Sequence, residues 1–246
     1  MARFFLSPEA WGEHAVLAGD EAKHAAQVMR LRRGDRIVVF DGRGRSARAE
    51  IADVSKSEVR LRLGEVTSAA PPVPEICLAQ AVPKGKTMDL IVQKAVELGV
   101  NSIQPLITRH TVVQVDGEDA PKKAAKWQRV ALEACKQCGQ DLLPEVAPPC
   151  SFADWVSHAR GDLKIIASLF PGARPLREIL RSAPMPGKVI LLIGPEGDFS
   201  AEEGAAALEA GFQPATLGPI VLRAETASFF GISALRYEFS PGYVIA

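Results

Sequence analysis

At 246 residues and 47% apolar content, the chain can bury a proper core, as one large domain or two modest ones. Lysine plus arginine and aspartate plus glutamate both total 29, so net charge selects no partner and only its distribution can inform. No apolar run reaches membrane-spanning length, and Met1 to His14 lack the apolar core of a signal peptide, which excludes a membrane segment and points to a cytoplasmic protein.

Residues 1–70 read as a small β-rich domain with one helix. Arg3 to Leu6 suit a strand, and Asp20 to Leu31 suit a helix capped by Asp20, with Gly34 beyond its end. Arg36 to Phe40 and Arg45 to Val54 flank the hairpin signal Asp41-Gly42-Arg43-Gly44. Glu58 to Val66 then alternates Val59, Leu61 and Leu63 against Arg60 and Arg62, so a small barrel is expected. Between positions 30 and 48 seven arginines stand against only Asp35 and Asp41. Such a cluster can bind RNA phosphates and stack on unpaired bases, or it can be a solvated charged face.

The uncharged, Pro-rich stretch Thr67 to Pro74 is a stiff connector, after which strands and helices alternate from residue 75 to the end. Strands are expected at Ile76 to Val82, Ser102 to Ile107, Leu163 to Leu169 and Val189 to Ile193. Helices are expected at Thr87 to Leu98, with Gly99 as the stop, at Asp119 to Gln137, after Pro175, at Ala201 to Ala210, and from Ala224. This is an α/β domain. Cys135-x-x-Cys138 lies in a segment with helical periodicity, at the end of the second of these helices, with no second cysteine pair and no histidine nearby, so packing explains it better than a metal and none is expected.

Two loops carry the chemistry. Leu191-Leu192-Ile193 ends in Gly194-Pro195-Glu196-Gly197-Asp198-Phe199, and Ser200 with Glu203 then forms a capping box for the next helix. A strand end followed by a glycine loop and a helix start is where open α/β sheets hold ligands. With Glu196 and Asp198 and no lysine, the loop disfavours phosphate and suits a ribose, an adenine edge or a cation. An ordinary strand-to-helix turn fits these residues equally well. The second loop, Thr216 to Arg223, joins a short strand to a helix that opens with Glu225 near its positive end.

Gly194-Pro195-Glu196-Gly197, then Leu217-Gly218 and Leu222-Arg223-Ala224-Glu225-Thr226-Ala227, resembles the RsmE family of ribosomal small-subunit RNA (uracil-N3)-methyltransferases. Arg3-Phe4-Phe5, Val28-Met29-Arg30-Leu31 with Gly34-Asp35, Lys84-Gly85-Lys86, Gln93 to Val100, and Glu133-Ala134 with Gln137 extend the resemblance over nearly the whole chain. It implies a SPOUT methyltransferase domain (75–246) with a trefoil knot, preceded by a PUA-like β-barrel (1–70) that binds RNA. It further implies a homodimer that takes S-adenosylmethionine (SAM) in the knot and methylates N3 of a uridine in small-subunit (16S) ribosomal RNA. Two positions depart from the family pattern: Asp198 stands where a second glycine is usual, and Gln140 where an arginine is usual.

The residues expected at the cofactor are Ile193, Gly194, Glu196, Gly197, Leu217, Gly218 and Leu222. Methyl transfer to N3 requires that a weakly acidic proton leave and that charge developing on O2 and O4 be stabilised. Arg109 and Arg223 can hold those oxygens or a phosphate, and Glu225 is a candidate carboxylate beside Glu196 and Asp198. The RNA set is Arg3, Arg30, Arg32, Arg33, Arg43 and Arg45. The competing class is a non-catalytic RNA-binding protein with an inert α/β domain. A dinucleotide-binding oxidoreductase is disfavoured, because Gly194-Pro195-Glu196-Gly197 does not fit G-x-G-x-x-G.

Overall fold

The structure, a computed structural model, describes residues 1–12, 14–55, 57–112, 119–170 and 172–239. It divides into two compact units, Met1–Pro71 with Leu132–Leu143, and Pro72–Ala131 with Pro144–Ala246.

In the first unit β1 (Arg3–Phe5), β2 (Val16–Ala18), β3 (Arg36–Phe40), β4 (Arg45–Val54) and β5 (Glu58–Ser68) form one sheet in the order β1-β3-β4-β5-β2. Alternation decides which side chains go inward: Ile37, Val39, Ala47, Ala49, Ile51, Val59 and Leu61 join Phe4, Leu6 and Leu17 in the core. Helix α1 (Gly19–Lys23) follows β2 and widens into a π-helical turn over His24–Val28. The single helix expected from Asp20 to Leu31 is thus shorter. Its N-cap is Ala18 with no side-chain cap, so Asp20 does not cap it, and Arg30 leaves the helical region at φ +53°.

The segment Leu132–Leu143 is held to this sheet by polar contacts. Gly44 N–H donates to Asp141 O (3.1 Å), Leu143 N–H to Gly42 O (2.9 Å), and the Asp141 carboxylate accepts from Arg3 (2.5 Å) and Ser46 (2.7 Å). Lys136, its side chain buried, pairs with both Glu21 and Glu133. Burial alone would lower the Lys136 pKa, but the hydrogen bonds to Glu133 and Glu21 outweigh it and hold it above the usual lysine value.

The second unit is a parallel α/β assembly. Its elements are β6 (Glu75–Ala81), α2 (Thr87–Glu97), β7 (Ser102–Ile107), α3 (Ala120–Cys138, whose last turns belong to the first unit), β8 (Glu145–Val146), β9 (Cys150–Ser151), α4 (Phe152–Val156), β10 (Leu163–Ala167), β11 (Arg174–Pro175), α5 (Leu176–Ser182), β12 (Lys188–Ile193), α6 (Ala201–Glu209), β13 (Gln213–Thr216) and α7 (Ala224–Phe239). The sheet order is β11-β13-β10-β12-β6-β7-β8, with β9 also on β7. β12 is central, flanked by β10 and β6, and every residue after Lys188 is buried, as its unbroken Val-Ile-Leu-Leu-Ile run requires.

Helix α7 lies close on β12. A Cβ built on Gly231 would stand 2.6 Å from Leu191 Cδ2, so only a glycine lets the helix approach this far. The buried Ser228 hydroxyl sits between Gln80 Oε1 (2.5 Å) and Ala224 O (2.8 Å), joining α7 to β6. Gly231→Ala is expected to lower stability by about 1–3 kcal/mol, the usual cost of overpacking a core, measured as a lower denaturant midpoint at unchanged slope. Of the cysteine pair, Cys135 is buried, and burial pushes its thiol pKa up to about 12, as suits a packed residue.

Candidate active site

Because β10, β12 and β13 are neighbours, their carboxyl ends open on one side, and the loops leaving them build a cleft of about 270 Å³. Ile193, Gly194, Glu196, Leu217, Gly218 and Leu222, all expected at the cofactor, line it. Gly197 does not: it packs against His110, whose Cβ would be 3.1 Å from a side chain at 197. Arg223 lines the cleft and is exposed, whereas Glu225, half-buried in the first turn of α7, lies outside its wall.

The loop after β12 is rigidly built. Asp198 occupies the left-handed region (φ +56°), which explains why glycine is the usual residue in the family pattern. Aspartate tolerates that conformation when its carboxylate bonds local backbone. Asp198 Oδ1 accepts from Phe199 N–H (2.8 Å), and Oδ2 accepts from Leu169 N–H (3.2 Å), which ties the loop after β12 to that after β10. His110 Nδ1 lies 2.9 Å from Asp198 O, a carbonyl that can only accept, so Nδ1 carries the hydrogen. A Cβ on Gly194 would stand 3.1 Å from the Phe199 ring and 3.2 Å from Asp198 Oδ1. A side chain at that position makes these neighbours give way by a few tenths of an ångström.

Two acidic residues brace neighbouring loops. Glu196 accepts from Lys84 N–H (3.1 Å), and Glu203 serves both the expected capping box with Ser200 and Arg109 N–H (2.8 Å). Arg109 itself is exposed and lines a second depression with His110, Ser151, Ser200 and Glu202, outside the cleft.

Ser168 and Leu169, at the end of β10, belong to the cleft and were not expected from the sequence, which reads there as a strand continuing to Leu169. Ser168 is among the residues lining the cleft, and its hydroxyl is buried with no hydrogen-bond partner among the described residues. A buried orphan hydroxyl is costly, so a polar group able to reach it would be stabilised by bonding it. The lining therefore fits a mostly apolar ligand with a few polar edges and a positive centre near Asp198.

In the first unit, four of the six arginines expected at RNA (Arg30, Arg32, Arg33 and Arg43) are exposed. The other two are occupied internally. Arg3 bonds Asp141 and stacks on Phe40, and Arg45 bonds Asp41 (2.6 Å) and stacks on Trp11. Burial alone would raise the Asp41 pKa, but bonds from the Arg45 side chain and from Arg43 and Arg45 N–H hold it below the usual carboxylate value.

Comparison with known proteins decides the family. Residues 70–236 match the model of an RNA methyltransferase domain, and residues 17–64 that of an RNA methyltransferase PUA domain. A Synechocystis ribosomal RNA small subunit methyltransferase E is 32% identical over 95% of this chain and 77% of its own length. The chain belongs to that family. The Bacillus subtilis relative is 29% identical over 90% and 89% of the two chains. A Neisseria gonorrhoeae member bound to SAM superposes with a TM-score of 0.85 at 31% identity, covering 96% of this chain and 97% of that one. A Legionella pneumophila protein holding the cofactor SAM gives 0.87 at 35%, with the same coverage. The fold class expected from the resemblance, an α/β SPOUT methyltransferase domain preceded by a PUA domain, is that of this chain. As a member of the methyltransferase E family it is an RNA-methylating enzyme, and the reading as an inert RNA-binding module is set aside. Among the described residues no helix is long and apolar enough to cross a membrane.

Proposed function

We propose that this chain transfers the methyl group of SAM to N3 of a uridine in small-subunit ribosomal RNA, with residues 1–70 binding RNA and residues 75–246 performing the transfer. The observation that carries this is the cleft itself, a glycine-walled apolar slot with an orphan hydroxyl at Ser168 and a carboxylate at Asp198. Ile193, Gly194, Leu217, Gly218 and Leu222 would hold SAM, while Glu196 and Gly197 keep the loop in shape through Lys84 and His110. When bound, SAM supplies an electrophilic methyl group on a sulfonium centre.

The chain's own residues then orient the base and manage its charge. Arg223, which lines the cleft, would hold the uracil oxygens as N3 loses its proton, and Arg109, whose backbone N–H donates to Glu203, would hold a phosphate. Glu225 is the carboxylate on the Arg223 segment and our candidate to take that proton. Incubation of the protein with SAM and unmethylated small subunits, followed by nucleoside mass spectrometry, should yield N3-methyluridine. Methylation at another atom, or none, would refute the assignment.

The working unit in this reading is a cytoplasmic homodimer without a metal. Phe230 and Tyr237 on α7 and Ile220 and Val221 before it are exposed, and a groove lined by Leu176, Leu180, Pro219, Phe230 and Tyr237 runs beside them. Large apolar side chains clustered at a surface are characteristic of interfaces. Light scattering at micromolar concentration should give twice the chain mass, and Phe230→Asp should halve it. A monomer in the unaltered protein would end the dimer assignment.

A further inference from the structure

The π-helical turn in the first unit has a feature that phosphate binding leaves unexplained. Met29 N–H donates to His24 O (2.9 Å) and Leu31 N–H to Ala25 O (3.0 Å), so the turn is wide, and Arg30 then enters the left-handed region at φ +53°. π-helical turns and left-handed non-glycine residues both cost conformational energy and concentrate at functional positions. The base of the turn is fixed. Ala22 and Ala25 are fully buried, Leu31 packs on the core and His24 lies on the Phe4 ring. On the far side Gly34 N–H donates to Ile51 O (2.8 Å), and the Asp35 carboxylate accepts from Arg32 N–H (2.7 Å).

At the apex of this rigid support the sequence places Val28 and Met29, 70% and 45% exposed, among exposed Arg30, Arg32 and Arg33. Arginines alone would serve a phosphate backbone. Two exposed apolar side chains directly before them in the chain suit a partner that is polyanionic and also presents flat apolar faces. Paired RNA hides its base faces inside the helix, whereas an unpaired nucleotide exposes them beside its phosphates.

We propose that Val28 and Met29 form an apolar wedge that packs against the face of an unpaired base in the ribosomal RNA substrate, while the neighbouring arginines hold the adjoining phosphates. This rests on the RNA-methyltransferase reading above. The thioether of Met29 gains from aromatic contact, and a wedge already ordered by the fold loses little freedom on binding.

The test is the double variant Val28→Ser/Met29→Ser, titrated against unmethylated small ribosomal subunits at several salt concentrations. Both side chains are exposed, so melting temperature and SAM affinity should match the unaltered protein. Affinity for the particles should fall roughly tenfold at every salt concentration. The log–log salt slope should not change, because no phosphate contact is lost. Unchanged affinity, or a slope that falls with it, would overturn the wedge. So would binding of the unaltered protein to phosphatidylserine vesicles that the double variant loses, because the partner would then be a lipid surface. If the unaltered protein neither binds nor methylates the particles, the RNA reading itself fails and the wedge falls with it.

Discussion

Gly194→Val is expected to abolish SAM binding, raising the dissociation constant at least roughly 100-fold, or about 3 kcal/mol. The reason lies in what Gly194 packs against: a Cβ there would stand 3.1 Å from the buried Phe199 ring and 3.2 Å from the Asp198 carboxylate in the cleft wall. A β-branched residue must displace one or both of them. Moving Asp198 breaks its bond to Leu169 N–H, which couples the loops after β12 and β10, so the slot loses shape on two sides. Calorimetric titration checks this, with circular dichroism as the control for folding. Full affinity in a folded Gly194→Val variant would remove the cofactor from this cleft. Gly194→Ala, with a smaller intrusion, should fall between the two.

The triple variant Arg30/Arg32/Arg43→Ala should bind SAM as the unaltered protein does yet methylate small-subunit particles poorly at physiological salt. All three side chains are exposed, and none lines the cleft. Each phosphate contact removed should lower the log–log salt slope by roughly 0.7 to 0.9, so three together lower it by about 2 to 3. The contrast with Arg3 is diagnostic. Arg3→Ala breaks the pair with Asp141 and the stacking on Phe40, so it should act through stability and leave the slope alone. Full activity of the triple variant would leave the cluster a solvated face and shift RNA binding towards Arg109.

Much of the secondary structure is visible in local pattern. β3, β4 and β7 span the residues expected of them, because alternation and the Asp41-Gly42-Arg43-Gly44 turn are short-range signals. The capping box at Ser200 and Glu203 is equally local. Weaker patterns mislead. β2 is three residues long, and α1 starts behind Ala18 and widens at His24, which no capping rule foresees. Arg3 and Arg45 look like the other arginines in sequence, yet their partners are Asp141 and Phe40 for one and Asp41 and Trp11 for the other. Such pairings depend on distance in space.

By itself the sequence determined the two kinds of structure, β-rich then α/β, the two glycine loops, the family, and the residue types able to take a cationic, adenine-bearing cofactor. These follow from periodicity, turn chemistry and motif order, all readable within a few residues. Only the tertiary structure decided that β10 lies between β12 and β13, which brings Ser168 and Leu169 into the cleft and turns Gly197 out towards His110. It also decided that Leu132–Leu143, far along the chain, belongs with the N-terminal sheet. The physical reason is the same in both cases: strand order and long-range polar pairing are selected by burial and hydrogen-bond satisfaction over the whole chain, and no local stretch encodes them.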